Sequence, residues 1–149
     1  MAFPDPAFPP AVYKWDLFLA HVNADTYTIA RPLADLLTAK KVRVNCDCLL
    51  HAGSSLTATL QHGLNSSRHG AVILTPNFFA LQWPQTELDE LGNNRIHGRG
   101  LIFPIWYGVG PEEVSQYMPR MAYRGQSVPE RSLTSVAEAL ATKCRPFSY

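Results

Sequence analysis

At 149 residues the chain has the length of one domain, enough to bury a core without disulfide or metal staples. Its 46% hydrophobic and 17% charged content excludes the low-hydrophobicity, high-charge regime of disordered chains. Thirteen basic residues against twelve acidic ones give a net charge of +1, and the basic residues are scattered, so no nucleic acid is expected as a direct ligand.

Taken in chain order, residues 1–12 carry four of the twelve prolines and no periodicity, which reads as a flexible leader to a domain spanning 13–149. The N-terminus lacks the basic-then-apolar order of a signal peptide, and no apolar run is long enough to cross a bilayer. A cytoplasmic protein without membrane contact is expected. Trp15–Ala20, Val42–Cys46, Ala71–Thr75 and Leu101–Trp106 are short apolar runs, as expected of strands buried on both faces of a parallel sheet. A weaker fifth strand is expected near Met121–Tyr123.

Helical patterns lie between these runs. Asp25 is placed as an N-cap before Ile29, Leu33, Leu36 and Leu37, with Pro32 expected to delay or kink that helix. Ser55 reads as a second cap, followed by an apolar stripe of Leu56, Leu60 and Leu64. Pro84 opens a third helix that buries Leu88 and Leu91, and shorter helical patterns follow Pro111 and Ser132. The alternation predicts an α/β fold: a flavodoxin-like, three-layer domain with a central five-stranded parallel sheet and helices on both faces. In such sheets ligands bind beyond the carboxyl ends of the strands, at the switch in strand order.

Cys46-x-Cys48 with His51 invites a metal reading, but a structural zinc site needs four ligands and no second pair stands at a usable spacing, so no metal is expected. The three cysteines imply no disulfide framework, because Cys46 and Cys48 are too close in sequence for an ordinary bridge. Gly108-Val109-Gly110 resembles part of a dinucleotide fingerprint. The two glutamates after it, Glu112 and Glu113, carry the wrong charge for a phosphate site and fit a turn leading into a helix. Trp83-Pro84-Gln85-Thr86-Glu87 carries more chemistry: an aromatic surface four residues before a first-turn carboxylate. Cleavage of a glycosidic bond uses both, a heterocycle to stack and a negative charge beside an oxocarbenium-like sugar. Spacing alone favours ordinary packing and helix-dipole roles for the two residues.

Lys14 to Val109 resembles Toll/interleukin-receptor (TIR) domains of the bacterial kind. The residues that carry the likeness are WDLFLAHVNAD, RPLADLL, LTPNFFALQWPQTELDEL and GLIFPIWYGV, the third being the most specific. The resemblance implies an NAD glycohydrolase with Glu87 catalytic and Trp83, His21, Asp47 and Ser54 binding substrate. NAD would be the substrate and no cofactor is implied. The products would be nicotinamide with ADP-ribose or a cyclic isomer, in defence signalling. Other TIR domains would be partners, in a homo-oligomer or filament, and the competing reading is a non-catalytic TIR–TIR interaction module.

The chain departs from the family pattern after the second strand, where it reads Asn45-Cys46-Asp47-Cys48 and later Gly53-Ser54-Ser55-Leu56, and Ala20 replaces the usual serine before the histidine. The segment from Asp47 to Ser55 is expected to be a loop whose Cys48, Leu49 and Leu50 support assembly by apolar contact. Glu87 is expected to face solvent and to contribute little to stability.

Overall fold

A computed structural model describes residues 14–92, 102–119, 128–129 and 133–144. Its elements are β1 (Trp15–Val22), α1 (Arg31–Ala39), β2 (Val44–Leu50), α2 (Leu56–Ser66), β3 (Ser67–Leu74), α3 (Pro76–Phe79), α4 (Gln85–Gly92), β4 (Ile102–Trp106), α5 (Pro111–Tyr117), β5 (Val128–Pro129) and α6 (Leu133–Cys144). The strands form one sheet in the order β2-β1-β3-β4-β5, and every pair is parallel. The fifth strand is the two-residue β5. The expected strand at 121–123 and the leader at 1–12 lie outside the described residues.

Strand alternation sorts the core into two layers. Phe18, Ala20 and Val22 of β1, with Val72 and Leu74 of β3, pack under α2, α3, α4 and α5. Leu17 and Leu19, with Ala71 and Ile73, pack under α1 and α6. Within β1, residues 17–20 are apolar at consecutive positions because both faces are covered. The Phe18 ring fills the space over Gly70, where a β-carbon would stand 2.2 Å from the ring, so β3 needs glycine there.

The helix starts follow the local chemistry. Ser55 accepts a hydrogen bond from the Ala58 amide, and Leu56, Leu60 and Leu64 are buried as the stripe predicts. Before Pro32, the chain runs through a 3-10 turn (Asn23–Asp25) and a π turn (Thr26–Ala30) before α1 begins at Arg31. The proline, which lacks an amide hydrogen, thus falls in the first turn of the α-helix. Asp25 caps nothing with its side chain, so its expected N-cap role is corrected. The α4 helix begins at Gln85, one residue after Pro84, and buries Leu88 and Leu91.

The largest correction concerns β2. Val42–Cys46 was expected as the strand and Asp47–Ser55 as a loop, yet the strand runs to Leu50 and only 51–55 connect it to α2. A bulge explains the shift: Phe18 faces Asn45 while Ala20 faces Cys48, so β2 carries one residue more than β1 over this stretch. Polar Asn45 and Asp47 disguise the strand in the sequence. Leu50 is a core residue, 1% exposed, and is not available for contacts between molecules.

Candidate active site

The switch in strand order falls between β1 and β3, whose carboxyl ends define the crevice. In this chain a carboxylate closes that crevice. Asp25, 2% exposed, accepts hydrogen bonds from the Thr75 hydroxyl at 2.5 Å and the Asn77 side-chain amide at 2.9 Å. Thr75 in turn caps α3 by accepting from the Phe78 amide at 3.0 Å. A buried carboxylate with two donors is satisfied, and it ties the turn after β1 to the turn after β3.

Glu87 lies in the first turn of α4. It is half-buried, and its Oε1 accepts the Leu56 amide of α2 at 2.6 Å. That amide belongs to the first turn of α2, where backbone donors lack helical partners and the helix dipole is positive. One helical turn along α4, Glu90 Oε1 accepts the Thr57 hydroxyl at 3.2 Å. Glu87 Oε2 takes no hydrogen bond from the described residues. The solvent-facing, energetically neutral glutamate expected from sequence is thereby corrected: this carboxylate joins two helices.

A cleft of about 320 Å³ opens against Glu87, walled by Gly53, Ser54 and Ser55 of the connection and by Gln82, Trp83 and Pro84 before α4. Gly53 has φ +85°, a left-handed turn that favours glycine. The Ser54 hydroxyl donates to the His51 carbonyl at 2.7 Å, which closes the turn and commits its proton to the backbone. A larger hollow of about 560 Å³ lies on the other side of Trp83 and Gln82, against Phe79, Glu113 and Tyr117. Gln82 borders both and holds φ +57°, unusual for a residue with a β-carbon.

Trp83 is more deeply set than a stacking platform. It is 8% exposed, its indole N–H donates to the Phe78 carbonyl at 2.9 Å, and its ring lies 5.5 Å from that of Phe78. The ring packs in the core while the residue lines the cleft, so the open aromatic surface expected from sequence is corrected.

His21 and Asp47 stand elsewhere. Both line neither hollow. His21 was placed after the first strand and instead lies within β1, fully buried, on the side of Leu17 and Leu19 that α1 covers. Its Nδ1 bonds the Leu19 carbonyl at 3.0 Å, and Nε2 has no partner among the described residues. Burial holds the imidazole below the ordinary histidine range despite the neighbouring Asp25 and Asp47 charges. Asp47 is exposed at the β2 bulge, where its amide donates to the Asn45 side chain at 3.0 Å. The bulge also sends Cys46 into the α1 layer and Cys48 into the α2 layer, so the two thiols cannot share a metal. Burial raises the Cys46 thiol and pushes Cys48 up to about 11. Gly108, at φ +74°, makes the expected turn before α5.

Three features had no readable signal: the Leu56 amide, the Thr57–Glu90 pair and the left-handed Gln82. Each depends on contact between distant segments or on a conformation that glutamine does not advertise.

A family model described as TIR domain matches residues 17–132. An NAD(+) hydrolase, TcpA, of a Theionarchaea archaeon is 34% identical over 139 residues, covering 93% of this chain and 42% of its own length. A 2' cyclic ADP-D-ribose synthase, AbTIR, of Acinetobacter baumannii is 32% identical over 130 residues, covering 86% of this chain and 48% of its own. The chain therefore spans less than half the length of these curated relatives. Among solved structures, the RPS4 and RRS1 TIR domain heterodimer superposes with a TM-score of 0.55 at 15% identity, covering 85% of this chain and 93% of that one, which is a likeness of fold. By the family match and by these relatives, the chain belongs to the TIR domain family.

Proposed function

We propose that this domain cleaves NAD at its nicotinamide–ribose bond, with Glu87 as the catalytic carboxylate. The observation that carries the reading is the Glu87 carboxylate held by one oxygen on the Leu56 amide at the wall of a cleft. Its support from relatives is the likeness to a named NAD(+) hydrolase and a named cyclic ADP-ribose synthase. As the bond from C1′ to the pyridinium nitrogen breaks, its electron pair returns to the ring and leaves neutral nicotinamide. Positive charge then develops on the ribose. A fixed carboxylate beside that sugar stabilises the cation without having to reorganise, which is where electrostatic catalysis gains most. Water captures the cation and loses a proton to give ADP-ribose; a hydroxyl of the same molecule captures it to give a cyclic isomer.

Trp83 supplies an aromatic edge to the cleft, and Ser54 shapes its rim through the 51–54 turn. His21 and Asp47 then act as structural residues of β1 and β2. The cleft is open along one side, and self-association with other TIR domains is the proposed source of the missing wall. No helix among the described residues is long and apolar enough to cross a membrane.

The test is incubation of the purified protein with NAD over a range of protein concentrations, followed by chromatography of the products. Nicotinamide release that rises in specific activity with concentration and disappears in Glu87→Gln supports the reading. Intact NAD at every concentration rejects it in favour of a non-catalytic interaction module.

A further inference from the structure

We propose that Thr57 and Glu90 are positioning residues for the Glu87 carboxylate, an inference that rests on the reading of Glu87 as the catalytic group. Glu87 and Glu90 stand three residues apart on α4 and share a face of that helix. They meet consecutive residues of α2: Glu87 takes the Leu56 amide at 2.6 Å and Glu90 takes the Thr57 hydroxyl at 3.2 Å. A single hydrogen bond fixes a distance and leaves rotation about it free. A second bond one turn away removes that rotation, so the pair sets the direction in which the second oxygen of Glu87 points. Both bonds end on a carboxylate, which makes them stronger than neutral ones.

The segments on either side supply less restraint. The connection 51–55 leading into α2 is exposed over most of its length, and the chain reaches α4 through Gln82, Pro84 and Gln85, all exposed. Trp83 is the only buried residue between Leu81 and Thr86, and it anchors the start of α4 against Phe78 rather than against α2. Above the apolar core that α2 and α4 share, the Thr57–Glu90 bond is the hydrogen bond that, together with Glu87–Leu56, holds the first turns of the two helices in register beside the cleft. Movement of the 51–55 connection reaches Glu87 through the same two bonds.

The test compares the full chain with Thr57→Val, which keeps the shape and removes the hydroxyl, Thr57→Ser, which restores it, Glu90→Ala, and the Val/Ala double variant. A carboxylate released from its direction costs kcat more than binding, and a misplacement of about an ångström is worth up to about a hundredfold. With one bond left, kcat for nicotinamide release should fall about tenfold in Thr57→Val and Glu90→Ala with KM within about twofold. Thr57→Ser should recover most of the loss. The double variant should be no worse than either single one, since each breaks the same bond. The Leu56 amide, followed by nuclear magnetic resonance, should exchange its proton faster in Thr57→Val than in the parent. Unchanged kcat in Thr57→Val, or losses that multiply in the double variant, overturns the proposal. If the parent chain releases no nicotinamide, the catalytic reading fails instead. The Leu56 amide then decides the clasp by itself, faster exchange in Thr57→Val supporting it and equal exchange overturning it.

Discussion

Replacing Glu87 by glutamine and by alanine separates its two jobs, since only one of the substitutions leaves an acceptor for the Leu56 amide. In the parent, that amide donates to a charged oxygen at 2.6 Å at the positive end of α2. Glutamine keeps the oxygen and removes the charge. A charge-assisted bond is roughly twice a neutral one of about 1 kcal/mol, and the dipole contribution is about 0.5 kcal/mol, so Glu87→Gln should lose about 1.5 kcal/mol. Alanine leaves the half-buried amide without its partner, and the loss should reach about 2–3 kcal/mol. Turnover should fall about a hundredfold or more in both, because neither can stabilise a cation. Urea unfolding at neutral pH gives the stabilities, and chromatography of nicotinamide gives the rates. Three distinct stabilities with two equally inactive variants are expected. An alanine variant as stable as the parent would refute the Glu87–Leu56 bond; a destabilised variant with full turnover would refute the catalytic role while leaving the bond intact.

Trp83→Ala should cost about 3–5 kcal/mol, as for other large core aromatics, and Trp83→Phe about 1–2 kcal/mol for the lost indole bond to Phe78; equal losses in thermal unfolding would contradict the packing seen here. Leu50→Asp buries an unpaired charge at a position 1% exposed and should leave the domain unfolded by circular dichroism, whereas Leu49→Asp, at a half-buried position, should fold. Burial depresses His21 and also His69 below the ordinary value of 6.5, so the unfolded chain binds more protons than the folded one in that range. Stability should therefore be fully present above about pH 6.5 and decline as the pH falls below it, and His21→Asn should flatten part of that decline. A His21→Asn curve parallel to the parent between pH 7 and 5 would remove the buried neutral histidine from the account.

Much of this fold is legible because β1, β3 and β4 are covered on both sides and carry apolar runs, and because Ser55 and the Leu56, Leu60, Leu64 stripe follow local rules of helix capping and burial. The end of β2 is not legible, since Asn45 and Asp47 look like loop residues, and only the sheet order, which puts β2 at the edge, and the bulge make room for them in a strand. Within the cleft, Ser54, Trp83 and Glu87 come together as the sequence suggests. His21 separates from them because strand parity turns it toward α1, and parity cannot be counted until the true end of β1 at Val22 is known. The depth of Trp83 and the bond at Leu56 depend on segments far apart in sequence, which no local pattern encodes.

The bulge in β2 also makes chain length a structural variable. Val44 and Cys46 lie in the α1 layer, and one additional residue lets Cys48 and Leu50 lie in the α2 layer, so the strand changes sides between its two ends. Removing a single residue between Cys46 and Leu50 would take up the bulge and leave Leu50 beside Val22 in the α2 layer, whereas inserting one would put Leu49 in that place and deliver the chain to α2 from the wrong side of the sheet. Insertions and deletions are thus tolerated unequally along a short stretch. Within 51–55, where the residues are largely exposed, a change of length alters the rim of the cleft; within β2 an inserted residue alters the handover from strand to helix, and with it the amide that Glu87 holds.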